Sequence, residues 1–149
     1  MRRFEEPPRS DQTYRRRPGV YAILARDSKI LITHQWDPEP EFQLPGGGID
    51  PGEGQIPALH REVMEETGWT ISTPRRLGFY RKFVFMPEYD LWAEKICHIY
   101  LARPVLQKGP PTEAGHTAFW VPPEVALEML INVGDRSFLA NWMAQPGSG

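Results

Sequence analysis

The chain has a single cysteine, no long apolar run and no apolar segment near its N-terminus, and each absence excludes a class of protein. Cys97 has no second cysteine with which to form an internal disulfide, and its apolar, strand-like surroundings predict a buried, unreactive thiol. No stretch approaches the roughly 18 apolar residues of a membrane span, so no membrane contact is expected. Residues 1–8 lack the apolar core of a signal peptide, and we therefore expect a cytoplasmic location.

The chain also lacks a strong excess of charge of either sign. Its formal net charge is −2, which argues against nucleic acid as a partner. Residues 1–17 nevertheless contain six arginines and two prolines, and we predict that they form a basic, flexible arm. An arm that contacts substrate phosphates or a partner subunit is the alternative. Residues 18–145 are expected to form a single domain.

One motif concentrates the chemistry of the chain. It extends over 23 residues from Gly47 to Trp69 and reads G-x5-E-x7-R-E-V-x-E-E-x-G-W. The motif places four glutamates close to a run of three glycines: Glu53, Glu62, Glu65 and Glu66. Pro57 suits the first turn of a helix, and Gly68 suits the left-handed position that ends one. We therefore predict a helix that opens at Gly54 and stops at Gly68.

The predicted helix has an apolar face and an acidic face. At about 100° per residue, one face carries Ile56, Leu59 and Val63, and the neighbouring arc carries Glu62, Glu65 and Glu66. Like charges at this spacing repel by roughly 0.2–0.5 kcal/mol per pair, so a compensating cation is expected. Carboxylates without Cys or His partners favour Mg²⁺, with Mn²⁺ as the second choice. A solvated acidic face is the alternative, but it does not explain the glycines, Glu53 or Arg61.

The motif resembles the signature of the Nudix hydrolases, the MutT-like family, usually written G-x5-E-x7-R-E-U-x-E-E-x-G-U with U a bulky aliphatic residue. Every fixed position is matched: Gly47, Glu53, Arg61, Glu62, Glu65, Glu66 and Gly68. Val63 fills the first U, and the aromatic Trp69 at the last is a departure that should affect packing more than chemistry. The resemblance implies that Glu62, Glu65, Glu66 and the carbonyl of Gly47 bind metal. It also implies that Arg61 and Glu53 orient these ligands.

The same resemblance implies a reaction. It is the metal-dependent hydrolysis of a pyrophosphate bond in a nucleoside diphosphate linked to another moiety, such as a nucleotide sugar, ADP-ribose or a modified nucleotide. A bound metal would neutralise phosphate oxygens and activate the attacking water, with Glu62, Glu65 or a loop acid as the base. The expected partner is a small nucleotide-derived substrate, and a homodimer is compatible with the family. A non-catalytic nucleotide-binding sensor with the same fold is the alternative.

Periodicity and turn residues predict the remaining elements. The predicted strands and further helices are Gly19–Arg26, Lys29–Gln35, Glu41–Leu44, Arg76–Phe85, Trp92–Ala102 and Thr117–Val121, followed by helices Pro123–Ile131 and Asp135–Met143. We expect an α/β fold in which a mixed sheet separates the motif helix from the C-terminal helix. This is the α/β/α sandwich that the family resemblance also implies.

Four residues outside the motif are candidates for substrate binding. Trp36 could stack on a nucleobase, and Arg81 could contact a phosphate. Glu113 and His116 precede the last predicted strand, and the family resemblance implies that a loop in this region can supply a further metal ligand or base. Alternatively, Trp36 anchors its loop, Arg81 is an exposed cation on a strand, and the loop with Glu113 and His116 is merely solvated.

Overall fold

A computed structural model of the chain describes residues 7–37 and 39–146. Residues 1–6 of the predicted arm lie outside the described residues. The elements follow in the order β1 (Arg15–Arg26), β2 (Lys29–Gln35), β3 (Glu41–Gln43), β4 (Gly46–Gly48), α1 (Gln55–Thr67), β5 (Trp69–Ile71), β6 (Arg75–Met86), a 3₁₀ turn (Pro87–Tyr89), β7 (Leu91–Ala102), β8 (Pro104–Gln107), β9 (His116–Val121), α2 (Pro123–Met129) and α3 (Val133–Met143).

The main sheet is mixed. Its strands lie in the order β3-β2-β1-β7-β6, with β4 paired to β1 and β9 paired to β2, and a separate small sheet joins β5 to β8. β1 and β7 run parallel, whereas the other pairs in the sheet are antiparallel. The continuous buried apolar run Val20–Leu24 of β1 suits a central strand that is covered on both faces.

Helices cover both faces of the main sheet. On one face α1 packs Leu59 and Val63 against Val20 of β1. On the opposite face α3 packs Leu139 against Ile23 of β1. All five side chains are fully buried, and the predicted α/β/α sandwich is confirmed. Within the described residues, no helix has the length and apolarity that crossing a bilayer requires.

The first strand begins earlier than predicted. Arg15, Arg16 and Arg17 pair in register with Ala93, Glu94 and Lys95 of β7, so these arginines belong to the sheet and not to the arm. The strand extends this far because β7 offers backbone partners over its own 12 residues, a long-range pairing that a local sequence pattern does not reveal. For residues 7–14 the flexible arm stays a prediction.

Of the other local predictions, some agree with the structure and one does not. Asp27 and Ser28, between the first two predicted strands, both have positive φ, as the primed two-residue turn of a hairpin requires, and β1 and β2 pair as a hairpin around them. Cys97 is buried, and burial raises the pKa of its thiol. Ile56 was expected to pack inward but is 38% exposed in the first turn of α1, while Ala58 is fully buried instead.

Candidate active site

The acidic face of α1 is directed at the glycine strand β4. Glu62 and Glu66, one helical turn apart, are only 9% and 3% exposed, whereas the side chain of Glu65 is 39% exposed. Gly47 lies so close to α1 that a Cβ at this position would overlap the carboxylate of Glu62. The glycine of the motif is therefore needed for space, because any side chain would displace a buried carboxylate.

Glu66 is held by two donors. The backbone N–H of Gly46 donates to its Oε1 at 3.1 Å, and the Nε2 of His116 lies 3.2 Å from its Oε2. Burial raises the pKa of Glu66 in spite of these contacts, while the hydrogen bond to Glu66 raises the pKa of His116 to about 9. The two contacts hold both oxygens of the Glu66 carboxylate in a fixed orientation.

Arg61 connects the acidic residues to the glycine strand. Its guanidinium donates to both carboxylate oxygens of Glu53 at 2.8 Å, and the Nη2 also reaches the carbonyl of Gly48 at 3.1 Å. The Nη1 lies 3.1 Å from Glu62 and 3.3 Å from Glu65. The hydrogen bond from Arg61 lowers the pKa of Glu53 to about 2. This fork-like geometry fixes two glutamates of the helix relative to the loop before it.

The loop between β8 and β9 is attached to the C-terminal end of α1. The backbone N–H groups of Thr112 and Glu113 donate to the carbonyl of Glu65 at 2.8 and 3.0 Å, and the N–H of Lys108 donates to the carbonyl of Gly68 at 2.8 Å. These bonds satisfy carbonyls that a helix end otherwise leaves unpaired. The loop thereby brings Glu113 beside the helix glutamates.

Two overlapping groups of side chains have the geometry of a metal site. Ligand atoms of Glu62, Glu65 and Glu113 lie within 4.8 Å of one another, and so do those of Glu66, Glu113 and His116. Burial, and then the charge of Glu66, raises the pKa of Glu62 to about 7. A desolvated carboxylate beside a second carboxylate has an unmet need for positive charge, and four carboxylates offer the hard oxygen donors that Mg²⁺ prefers. The residues present therefore fit a divalent cation.

A cleft of about 900 Å³ opens in front of these carboxylates. Its acidic end is lined by residues that the sequence singled out, namely Gly47, Glu53, Glu62, Glu66, Glu113 and His116. Glu65 and Arg61 are not among the lining residues. The structure thus brings most of the motif residues and the two predicted loop residues to one end of a single cleft.

Trp36 and Arg81 do not line the cleft. Trp36 is 59% exposed and packs edge-on against His34, with 4.5 Å between the ring centroids. Arg81 donates to Glu94 at 2.8 Å on the other face of the sheet. Side chains alternate along a strand, so it is the next residue, Lys82, that lines the cleft.

Sequence reasoning did not single out Lys95 or Glu41 as site residues. Both line the cleft, together with Arg17, Lys82 and Tyr89. The alternation within β6 and β7 was a usable signal, because it separates Lys82 from Arg81 and Lys95 from Glu94. The pairing of the strands, which decides that these residues share one cleft, was not visible in the sequence.

Comparison with known proteins agrees with this geometry. The family model of the NUDIX domain matches residues 14–142, and the chain therefore belongs to the NUDIX domain family. A NUDIX hydrolase from Nitrosomonas europaea superimposes with a TM-score of 0.72 at 20% identity, over 87% of this chain and 90% of that chain. At this identity the likeness concerns the fold alone.

Curated relatives align over part of the chain. A protein of Bacillus subtilis (strain 168), provisionally named 8-oxo-dGTP diphosphatase, is 32% identical over 74 residues, which are 50% of this chain and 50% of that protein. The RNA pyrophosphohydrolase of Helicobacter pylori (strain G27) is 42% identical over 57 residues, which are 35% of this chain and 37% of that protein. The matched part of the chain thus spans half or less of each of these relatives.

Proposed function

We propose that the protein is a divalent-metal-dependent pyrophosphohydrolase that acts on a nucleoside diphosphate linked to another moiety. The observation that carries this proposal is the convergence of the buried carboxylates of Glu62 and Glu66 with Glu65 and Glu113 beside the glycine strand. Arg61 and His116 compensate these carboxylates only in part, and clustered negative charge is costly to bury. A cation that binds here together with a phosphate would compensate the charge of these buried carboxylates.

The proposed ligands of Mg²⁺ are Glu62, Glu65, Glu66 and the backbone carbonyl of Gly47, with Mn²⁺ as an alternative ion. When bound, such an ion neutralises phosphate oxygens and lowers the pKa of a bound water. The hydrogen bonds from Gly46 and His116 engage both oxygens of Glu66, which fixes the orientation of this carboxylate towards the cleft. His116 is accordingly proposed to position Glu66.

Arg61 and Glu53 are proposed to position the metal ligands. Their bidentate contact holds the guanidinium where it reaches both Glu62 and Glu65. A planar, always charged group suits this role, because it offers several donors in a fixed geometry. The carboxylates can then move little when substrate enters.

Glu62 is proposed as the general base, with Glu65 and Glu113 as the rival carboxylates. Its carboxylate lines the cleft, where a bound water would lie. Its pKa of about 7 belongs to the metal-free protein and would fall when a cation binds, so the position of Glu62 supports this role. Glu113 lies on the attached loop within reach of Glu62 and Glu65. A proton taken from the attacking water would be held by a carboxylate oxygen at the acidic end of the cleft.

The cleft supports a small nucleotide derivative as substrate. Its volume of about 900 Å³ is at the upper end of the range of small-molecule sites. The relatives' names point to a modified nucleoside triphosphate and to RNA, and we propose a small substrate because the chain's net charge of −2 does not favour a long polyanion. The cytoplasmic location and the homodimer stay predictions, since the structure holds a single chain.

A hydrolysis panel tests the proposal. The protein would be mixed with nucleotide sugars, ADP-ribose, nucleoside triphosphates including oxidised ones, dinucleoside polyphosphates and 5′-triphosphorylated RNA, each with Mg²⁺, Mn²⁺ or EDTA. Products identified by mass would show which phosphorus is attacked. We expect turnover of one substrate class that requires metal and is lost in Glu62→Gln and Glu66→Gln.

The matched control is Glu128→Gln, which removes an exposed glutamate from α2 and should retain full activity. Full activity of both site variants would contradict the assignment of α1 as the metal site. Turnover of RNA alone would replace the small substrate by a macromolecular one. Tight nucleotide binding with Mg²⁺ but no turnover anywhere would favour the non-catalytic sensor.

A further inference from the structure

Three cations form a row across the main sheet. Arg17 of β1 is the register partner of Lys95 of β7, and Lys95 is the register partner of Lys82 of β6. Register partners on neighbouring strands have their side chains on the same face, and all three residues line the cleft. We call Arg17, Lys95 and Lys82 the cation row.

The cation row is unfavourable without an anion. Like charges directly opposite each other on neighbouring strands destabilise a sheet. The other face of the same strands shows the usual solution, because Glu94 lies between two arginines there and contacts Arg16 at 3.3 Å and Arg81 at 2.8 Å. No carboxylate occupies the corresponding place in the cation row.

The surroundings of the row compensate its charge only in part. Lys82 donates to the side chain of Asn132. Burial raises the pKa of the nearby Asp135, and the charge of Lys82 opposes this shift in part. Glu41 faces the lysines from β3, and both lysines act to lower its pKa although burial raises it overall. Among residues 7–37 and 39–146, no carboxylate oxygen lies within 4 Å of the charged groups of Arg17 or Lys95.

The position of Arg17 is fixed by an aromatic ring. Its guanidinium lies over the ring of Tyr89, 4.4 Å from the centroid. Such stacking leaves the edge of the guanidinium, with its N–H donors, available to an anion. Tyr89 is 55% exposed and lines the cleft together with the row.

The cleft therefore carries charges of both signs. Glu62, Glu66 and Glu113 are grouped at its acidic end, and the cation row lies on the sheet with Glu41 as an acidic neighbour. A metal at the acidic end would bind phosphates there, but it would not neutralise the two cations on β1 and β7 that lack a close carboxylate. A second anionic group on the same ligand would provide that counter-charge.

We propose that the cation row is a second phosphate-binding subsite, so that the protein selects substrates that carry phosphate beyond the pyrophosphate bond that is cleaved. Selection among substrates rests on the proposed function, because it presupposes that the protein hydrolyses them. Anion binding by the row itself does not require catalysis. The class of ligand is a nucleotide derivative with a longer phosphate chain or with a further phosphate on its second moiety.

Calorimetric titration with tripolyphosphate tests the subsite. The protein would be stripped of divalent metal and studied in metal-free buffer, so that the carboxylate end only repels the anion. We expect the wild type to bind, and Lys95→Gln and Arg17→Gln each to bind about fivefold more weakly, since a charged hydrogen bond is removed. Lys29→Gln removes an exposed lysine at the start of β2 and should leave binding unchanged.

Glu62→Gln should bind tripolyphosphate at least as tightly as the wild type, because it removes a negative charge from the same cleft. Circular dichroism of each variant would show that the fold is retained. Absence of binding by the wild type would overturn the proposal, as would equal binding by Lys95→Gln and Arg17→Gln. An equal loss in Lys29→Gln would reveal non-specific attraction and would also overturn it. Binding without hydrolysis in the panel would remove the proposed function and leave the subsite.

Discussion

Replacing Glu62 by glutamine should stabilise the metal-free protein at alkaline pH and should abolish its response to Mg²⁺. The carboxylate of Glu62 is 9% exposed, and its pKa is raised to about 7 from a usual value of 4.5. Between these two pH values the folded protein holds a proton that the unfolded chain has released. The free energy of unfolding therefore falls as the pH rises through this window.

The size of the effect follows from the pKa shift. A shift of 2.5 units would correspond to about 3.4 kcal/mol at 1.36 kcal/mol per unit. The carboxylate borders a solvent-filled cleft and Arg61 contacts it, so screening reduces this figure, and we expect about 1–2 kcal/mol. In a chain of 149 residues, each kcal/mol moves the melting temperature by roughly 2–4 °C.

Thermal unfolding followed by circular dichroism at pH 5 and pH 8, with and without Mg²⁺, measures both effects. Glutamine keeps an oxygen for Arg61 but cannot ionise, so the metal-free variant should melt several degrees above the wild type at pH 8 and about equally at pH 5. Mg²⁺ should stabilise the wild type by mass action and the variant much less. Glu128→Gln should behave as the wild type throughout. A metal-free variant less stable than the wild type at pH 8, or an undiminished shift with Mg²⁺, would refute the reasoning.

Three further variants separate activity from stability. Gly47→Ala would push the flexible end of Glu62 aside, so hydrolysis assays should show a large loss of kcat with a nearly unchanged melting temperature. Gly68→Ala would place a Cβ against a loop carbonyl at a φ of 78°, so denaturant unfolding should show a loss of about 1–3 kcal/mol. Arg61→Lys keeps the charge but not the bidentate contact with Glu53, and it should lower both activity and stability, the latter by about 1–3 kcal/mol.

The helix and its acidic face could be predicted from the sequence because their causes are local. Gly68 ends α1 in the left-handed conformation, with its N–H donating to the carbonyl of Met64 at 2.9 Å, as the motif indicated. The two-residue turn at Asp27 and Ser28 has positive φ at both positions for a similarly local reason. The short strands β5 and β8 were missed, because three or four residues carry too little periodicity to identify a strand.

Long-range strand pairing decides which of the residues predicted to bind substrate line the cleft. Arg81 and Lys82 are adjacent in sequence and equally basic, but the pleat directs one to Glu94 and the other to the cleft. Trp36 has an aromatic ring of the kind that stacks on a nucleobase, yet it packs against His34 outside the cleft. The residue type alone does not show which face of a strand lines the cleft.

The sequence by itself determined the acidic half of the candidate site, since Glu62, Glu65 and Glu66 are placed together by the 3.6-residue period of one helix. Only the tertiary structure decided the other half. The approach of β4 to α1 buries Glu62 and raises its pKa, and the attachment of the β8–β9 loop brings Glu113 and His116 to the same place. The register of three strands, a non-local property, assembled the cation row opposite them.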